Sequence, residues 1–364
     1  MKKLVTTRQL ILILILNMIT LKVIVLPNLF AQTLGRDSYL FMFFMLLLDF
    51  SVLLIFLYLT NKFKGMSFYE MLVHLFGNVG AKIIMFCFFA FFLNKCTAVF
   101  ETNYVYLNEN LYTFFDWISF SLPILVLIVF ISLQGVNAFA RTCEILVPIV
   151  FLGFIISIVV GSLHTDFTNL LPFMEKGVNQ DVFKFAFWFG DPLILMVFFG
   201  NIKMEKRSNA KIIISISVTM LLIAAFFAVF YAKFNNSSVC HTNAVSDLTQ
   251  SIPSMSDIGS FDWVLILIWD VALFIFYALN ILGAFYSFRQ VVCKCNQLFV
   301  VCGIALTVFF IVYFNDFDIF FAVNFNLKYF RYPCLFVQFA LPALMFVVAL
   351  FKRRKIKNEV SVAK

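Results

Sequence analysis

Residues 182–201 read VFKFAFWFGDPLILMVFFGN, and this run of twenty residues decides the fold. Twenty predominantly apolar residues are the length of an α-helix that crosses the hydrocarbon core of a bilayer. In the middle of the run Gly190 and Pro192 flank Asp191, and glycine and proline together interrupt a helix. The run therefore predicts a membrane-spanning helix that is broken at its midpoint and carries a charge there.

Composition extends this interpretation to the whole chain of 364 residues. Apolar residues make up 63% of the chain and charged residues 13%, whereas a soluble domain has roughly 45–50% apolar and 25% charged residues. Polar backbone groups inside the apolar runs must be satisfied within each run, which favours helices, because barrel strands are shorter and alternate. We predict an all-α integral membrane protein.

The apolar runs predict ten spans, of which the third and eighth are long and tilted. Their predicted bounds are 9–33, 38–60, 80–104, 118–134, 143–163, 182–201, 210–232, 262–285, 297–315 and 332–351. We predict one ten-helix transmembrane domain, 1–358, with halves 1–165 and 166–358, and a short cytoplasmic tail, 359–364.

A capping box lies between the second and third spans. Ser67 and Glu70 have the S-x-x-E spacing in which each side chain bonds the other residue's backbone N–H. They open a short amphipathic stretch, 71–76, which Gly77 closes. This pattern predicts a helix that lies in the cytoplasmic interface of the membrane.

The placement of lysine and arginine predicts the orientation of the chain. With the N-terminus in the cytoplasm, nineteen of these residues fall on the inner side and six on the outer side; the other two lie inside spans. Inner segments are normally rich in lysine and arginine, so both termini are predicted to be cytoplasmic. The net charge of +8 is therefore a topology signal and does not indicate a nucleic-acid partner.

Five charged residues lie deep in the predicted spans: Lys22, Asp49, Lys95, Asp191 and Asp270. Each such charge costs at least ~2.5–3.5 kcal/mol, so it usually faces a cavity and has a partner. Lys22 lies five residues before Pro27, so the first span is predicted to be broken like the sixth. Breaks at corresponding positions of two five-helix halves indicate a transporter-like substrate site.

Polar residues on other spans are candidates for the same site. In the third span, Asn94, Thr97 and Glu101 share one helical face, and the eighth span contributes Asp270 and Asn280. The alternative is that these groups bond to one another and hold helices together. The predicted ligand-binding residues are Thr20, Leu21, Lys22, Asn94, Thr97, Gly190, Asp191 and Asp270.

Catalytic and metal-binding patterns are absent from the sequence. The three histidines, His74, His164 and His241, fall in the interfacial helix and in two outer loops, which excludes a triad or a zinc cluster built from them. Cys293 and Cys295 form a C-x-C pair without a second pair. We therefore predict neither an enzyme nor a bound metal or cofactor.

One stretch resembles a known family. Gly135–Pro148, GVNAFARTCEILVP, is similar to the pattern G-x-x-x-x-A-R-x-x-E-I-x-x-P of the B subunits of Ger-type nutrient germinant receptors in endospore-forming bacteria. Weaker similarities follow in the family's order. They are Arg8-Gln9 with Leu26-Pro27, Ala31 and Asp37; the segment Ser67 to Gly77; and Asn169 to Pro172. In the first helix, Thr20-Leu21-Lys22 stands where family members carry a glycine-containing unwound stretch.

The resemblance implies fold, ligand and partners. The family belongs to the amino acid–polyamine–organocation transporter superfamily, whose fold is a five-plus-five inverted repeat with broken first and sixth helices. It implies an amino acid-like nutrient bound near the midplane, an A-type membrane subunit and a C-type lipoprotein as partners, and the spore inner membrane as the location. Arg141, Glu144 and Pro148 would be structural, like Pro27 and Pro192, with Arg141 and Glu144 spaced to pair at i and i+3.

The side-by-side packing of the broken helices in that superfamily implies an ion pair. We predict that Lys22 takes the place of a coupling cation and pairs with Asp191 or, failing that, with Asp49. The leading hypothesis is a germinant-binding receptor subunit. The alternatives are an amino acid permease driven by protons or ions, and a scaffold subunit whose ligand site has decayed.

Overall fold

Long apolar helices form almost all of the protein. The computed structural model describes residues 5–110, 117–174, 180–203, 205, 207–250, 261–292, 296–314 and 321–352. The helices are α1 Thr7–Leu34, α2 Ser38–Lys62, α3 Phe68–Asn110, α4 Trp117–Leu133, α5 Gly135–Ser162, α6 Leu195–Phe198, α7 Ser208–Phe234, α8 Ala244–Gln250, α9 Phe261–Val292, α10 Gln297–Phe314, α11 Phe321–Lys328, α12 Arg331–Leu335 and α13 Leu341–Phe351. A π-helical segment, Phe336–Ala340, joins α12 to α13.

Within the described residues, seven helical segments are long and apolar enough to cross a membrane. The first of them, Thr7–Lys62, contains both α1 and α2, which a single 3₁₀ turn, Gly35–Asp37, separates. A shorter apolar helix covers Ser121–Leu133. The chain is therefore a multi-pass membrane protein. Its described regular elements are helices and two short parallel strands, β1 Val5–Thr6 and β2 Ile202–Lys203.

The predicted capping box and the short helix that it opens are confirmed, while the position of this helix at the membrane interface stays a prediction. Ser67 N donates to Glu70 Oε2 at 2.7 Å, and Glu70 N donates to Ser67 Oγ at 3.3 Å. The helix that they open ends at Gly77, whose φ of 77° and ψ of 174° interrupt α3. The rest of α3 then runs to Asn110 as the third predicted span.

The predicted break in the first helix is wrong. α1 is continuous from Thr7 to Leu34 and passes through both Lys22 and Pro27. Thr20 Oγ1 donates to the Leu16 carbonyl of its own helix at 2.7 Å. Without a glycine at 20–22, this stretch has no residue that lowers the cost of unwinding, and the helix retains its backbone hydrogen bonds through it.

The break in the sixth span is confirmed, although most of this span is not α-helical. Residues Gln180–Trp188 form a 3₁₀ helix, and a second 3₁₀ turn covers Asp191–Ile194. Between them Gly190 adopts the left-handed conformation, with φ of 84°. Pro192 has no N–H to offer to a continuing helix. Only the four residues of α6 are α-helical in this run.

The fifth helix starts earlier than predicted. α5 begins at Gly135, eight residues before the predicted position 143. Hydropathy marks only the part of a helix that lies in hydrocarbon, and a helix can continue into the headgroup region, where polar residues such as Arg141 are tolerated.

Contacts between connecting segments define two ends of the helix bundle. At the first end, β1 pairs with β2, Gly200 lies against the Met66 carbonyl, Lys62 Nζ bonds the Ala349 carbonyl, and Lys352 Nζ donates to the His74 carbonyl at 3.0 Å. At the second end, Arg36 bonds the Leu171 carbonyl, Met174 N donates to Asp37 Oδ1 at 2.8 Å, and Lys233 Nζ donates to the Leu163 carbonyl at 2.8 Å.

Helix α1 occupies the centre of the bundle. Every residue from Ile13 to Ile24 is buried, including Asn17, Thr20 and Lys22. α1 packs against α5, α7 and α9, and α9 packs along α3. A helix that is buried on all sides and contains polar residues places those residues inside the protein, away from lipid.

Gly200 provides a test of this packing. It has φ of 78°, and a Cβ on it would collide with the Met66 carbonyl oxygen. We expect Gly200→Ala to destabilise the protein by at least ~1–2 kcal/mol, the cost of a left-handed backbone for an L-residue. The melting temperature of the detergent-solubilised protein, measured by loss of the monodisperse peak after heating, should fall. Gly303→Ala is the matched control, because nothing lies within 4 Å of its added Cβ. Equal melting temperatures for both variants would contradict the contact.

Candidate functional site

The break in the sixth span is anchored by a carboxylate of α2. Asp49 Oδ1 accepts a hydrogen bond from Gly190 N at 2.8 Å, and Asp49 Oδ2 lies 3.5 Å from Asp191 N. The backbone N–H groups of Gly190 and Asp191 thus both face the buried carboxylate of Asp49, a residue that is 1% exposed. Asp49 therefore satisfies backbone donors that a continuous helix would bond internally.

Lys22 and Asp191 form an ion pair inside the protein. Lys22 Nζ contacts Asp191 Oδ2, and both side chains are 1% exposed. The same ammonium group lies 5.1 Å from the centroid of the Phe189 ring. The contact predicted from the sequence is therefore present, and it joins the centre of α1 to the broken segment even though α1 itself is not broken.

Lys95 of α3 is a second cation at this position, although it was not predicted as a site residue. Its Nζ lies 3.8 Å from Asp191 Oδ1 and 5.3 Å from the centroid of the Phe91 ring. Its depth in the third span was the available signal. Two basic groups, Lys22 and Lys95, thus lie with two acidic groups, Asp49 and Asp191, and their formal charges cancel. We call Lys22, Asp49, Lys95 and Asp191 the charge cluster.

Two amides complete the surroundings of the break, and both were missed. Asn17 Nδ2 donates to the Asp191 carbonyl at 3.0 Å, and Gln338 Nε2 donates to the Phe189 carbonyl at 3.1 Å. A Cβ on Gly190 would meet Gln338 Cγ at 2.8 Å, so only glycine fits beneath this amide. Gln338 lies in the π-helical segment, and such segments often occur at functional sites. Its Oε1 is buried and has no hydrogen-bond partner among the described residues.

Several predicted site residues lie outside the charge cluster. Thr20 bonds within α1, and Leu21 belongs to the apolar core. Asn94 Nδ2 donates to Asn326 Oδ1 at 2.5 Å, and Thr97 Oγ1 donates to the carbonyl of Leu93 in its own helix. For Asn94 and Thr97, as for Asn280, which bonds the Phe276 carbonyl at 2.8 Å, the contacts fit the alternative of helix-to-helix or intrahelical bonding.

Asp270 belongs to a separate polar group. It lies beside Asn103 and Tyr106 of α3, and no ion pair joins it to the described basic residues. Asp270 is thus a partly buried carboxylate on the side of α9 that packs along α3. Its role as a ligand-binding residue stays a prediction.

The two stretches that carried the family resemblance meet in the structure. Gln9 Nε2 of α1 donates to Glu144 Oε2 of α5 at 3.0 Å. The predicted pair between Arg141 and Glu144 is wrong, because no ion pair within 4 Å joins these two described residues. Glu144 therefore connects α5 to the first turn of α1, and not to its own helix. Pro148 lies within α5 without interrupting it.

The space beside the charge cluster is small. A cavity of about 10 Å³ is bordered by Asp49, Asp191 and Pro192 together with apolar side chains of α1, α2 and α7. That volume corresponds to about one water molecule. In this conformation the protein's own charged side chains therefore fill the region around the break.

The described residues contain no group of three or more histidine, cysteine, aspartate or glutamate side chains that could hold a metal ion. Cys293 and Cys295 lie outside the described residues. The chemistry of the site is accordingly that of paired ammonium and carboxylate groups at an interrupted backbone.

A double-mutant cycle tests the central ion pair. Removing one partner of a buried ion pair costs about 3–5 kcal/mol, because the other charge is left buried and unpaired. We expect Lys22→Met and Asp191→Asn each to lower the melting temperature, and the double variant to recover much of that loss. Lys82→Met, which removes an exposed lysine of the same α3 as Lys95, should leave stability unchanged. Strict additivity of the two single changes would show that the groups do not interact.

Comparison with protein families identifies a family for most of the chain. Residues 4–319 match the family model described as spore germination protein. No curated protein matches the chain. The matched residues are most of the chain and include the motif Gly135–Pro148, the charge cluster and the break at Gly190, so the resemblance found in the sequence is confirmed: the chain belongs to the spore germination protein family.

Proposed function

We propose that this chain is the germinant-binding B-type subunit of a spore germinant receptor and that it binds an amino acid-like nutrient at the break in the sixth span. Family membership makes it a transporter-like membrane subunit and not an enzyme. The observation that carries the proposal is the buried charge cluster around the backbone of Phe189–Asp191. Such a concentration of charge inside a membrane protein is expensive and is characteristic of functional sites.

The charge cluster offers both kinds of group that a free amino acid needs. Lys22 and Lys95 are suited to a carboxylate, and Asp49 and Asp191 to an ammonium group. Because the cavity beside them has room for about one water, a ligand would enter by exchange with these internal pairs. It would then shift the protein toward a packing in which the pairs are separated, and only a difference in affinity between the two packings can do this.

Lys22 has a further role in this proposal. Its ammonium group lies at the position where a coupling cation would neutralise Asp191, so a permanent side chain replaces an exchangeable ion. A subunit built in this way senses its ligand without a cation gradient. The predicted permease, driven by protons or ions, requires instead that the charge of the site change during each cycle.

Family membership supports a proposal for the partners and the membrane arrangement. Membership implies work within a receptor complex, and we propose an A-type membrane subunit and a C-type lipoprotein as the partners, in the spore inner membrane. We further propose ten spans with both termini cytoplasmic and halves at 1–165 and 166–358. The contacts that bring residues 5–6, 62–67, 202–203 and 352 to one end of the bundle support an even number of crossings.

A scaffold without ligand is the second candidate. The cancelling formal charges and the small cavity favour it, since a site that its own side chains satisfy needs no ligand. The missing glycine in the first helix points the same way, because α1 remains helical at 20–22.

Binding and uptake by the purified chain distinguish these functions. In nanodiscs, we expect saturable binding of a labelled zwitterionic amino acid, lost in Lys22→Met and Asp191→Asn and retained in Lys82→Met. In proteoliposomes that hold the chain alone, we expect no accumulation of the same amino acid. Accumulative uptake would replace the receptor with the permease. Absence of binding across a full set of amino acids would favour the scaffold.

Cysteine labelling tests the proposed membrane arrangement. Cys240 is free and exposed at the second end of the bundle. With Cys293 and Cys295 changed to serine, an impermeant maleimide should label Cys240 from outside, and Cys240→Ser should abolish the label. When Lys64→Cys is added to the variant in which Cys240, Cys293 and Cys295 are serine, the new cysteine should react only from inside, because Lys64 is exposed at the first end. The reverse pattern would overturn the orientation, and labelling of both positions from one side would overturn the span number.

A further inference from the structure

A large crevice opens at the first end of the bundle, away from the charge cluster. It has a volume of about 680 Å³ and lies between the first turns of α1 and α7 and the third turn of α5. Its charged lining residues come from all three helices and from the segment before α7: Arg8, Glu144, Glu205 and Lys211. Below them, Ile11 and Ile214 form an apolar floor.

The two basic groups of the crevice have no carboxylate partner among the residues that the structure describes. Within the described part of the chain, no carboxylate lies within 4 Å of Arg8 or Lys211. The acidic groups are only partly engaged. Glu144 accepts one hydrogen bond from Gln9, and Glu205 lies 3.9 Å from the exposed Lys203. The crevice thus presents two cations and two carboxylates with unused bonding capacity, and their formal charges cancel.

The two helices that form the walls of the crevice, α5 and α7, each carry a stripe of exposed apolar side chains. Both stripes continue along the helices away from the first end of the bundle. On α7, Ile214 is 63% exposed, and Val218 and Leu221 continue the same helical face. On α5, Ile145 is 70% exposed, and Ile149 and Leu152 continue below it. In a membrane-spanning chain such faces are covered by acyl chains. A charged mouth above two apolar stripes has the layout of a phospholipid, with its headgroup at the interface and its tails below.

We propose that this crevice binds a zwitterionic aminophospholipid, of the phosphatidylethanolamine class. The phosphate lies against Arg8 and Lys211, and the headgroup ammonium donates to Glu144 and Glu205. The cancelling charge of the crevice selects a net-neutral headgroup over an anionic one, and two carboxylates favour a primary ammonium, which donates hydrogen bonds, over a quaternary one, which has no N–H. This crevice is separate from the charge cluster, and its assignment does not rest on the proposed nutrient site.

Native mass spectrometry of the detergent-purified chain tests the assignment. The protein is equilibrated with equal amounts of phosphatidylethanolamine, phosphatidylglycerol and phosphatidylcholine, and the retained lipid is identified. We expect phosphatidylethanolamine to be retained preferentially. Lys211→Gln should lower its bound fraction by about fivefold, as for loss of a partly exposed charge-assisted hydrogen bond. Lys211→Arg should restore it, and Lys82→Gln, outside the crevice, should change nothing.

The ammonium contact has its own readout. Glu205→Gln should lower retention of phosphatidylethanolamine and raise that of phosphatidylglycerol, because the crevice then carries a net positive charge. Melting temperatures of all variants, measured without added lipid, show whether each is folded. Preference of the unaltered protein for phosphatidylglycerol, equal retention of all three lipids, or unchanged retention in folded Lys211→Gln and Glu205→Gln would overturn the proposal. Equal retention would instead mark the crevice as a surface for a protein partner.

Discussion

The ion pair between Lys22 and Asp191 is the interaction on which the rest of the structure depends. Neither group is stable alone in the centre of a membrane protein, because an isolated charge there has lost its hydration without compensation. Each therefore requires the other, and the requirement holds α1 against the broken segment of the sixth span. Once Asp191 is there, the unpaired backbone around it needs partners as well.

Side chains from further helices supply these partners at the break in the sixth span. Asp49 of α2 accepts from Gly190, Asn17 of α1 donates to the Asp191 carbonyl, and Gln338 of the last span donates to the Phe189 carbonyl. α3 adds Lys95. The break is therefore where α1, α2, α3 and the last span are joined by polar contacts, inside a bundle whose other contacts are mostly apolar. A ligand that enters the charge cluster has to compete with bonds to all of these elements.

The continuity of α1 gives these contacts a mechanical consequence. Gln9 and Lys22 are thirteen residues apart on one unbroken helix, or about 20 Å at 1.5 Å per residue. Gln9 bonds Glu144 at the wall of the crevice, and Lys22 bonds Asp191 at the centre. A shift of α1 that separates one pair therefore also disturbs the other. A helix broken at 20–22, as the sequence analysis expected, would have uncoupled them.

The sequence by itself determined the features that follow from local chemistry. Runs of apolar residues with satisfied backbones have to be helices in a bilayer, Ser67 and Glu70 form a capping box wherever they are placed, and Gly190 before Pro192 interrupts a helix in any context. The pairing of Lys22 with Asp191 was also predictable, because few buried charges were available and the family resemblance indicated which spans are adjacent. Only the tertiary structure decided which distant side chains complete the site. Lys95, Asn17 and Gln338 come from three different spans, and their polar partners are backbone or carboxylate atoms of a fourth. The rotation of each helix about its axis, which packing sets and hydropathy does not reveal, determined that Lys95 joined the charge cluster while Asn94, its neighbour in sequence, bonded Asn326 instead.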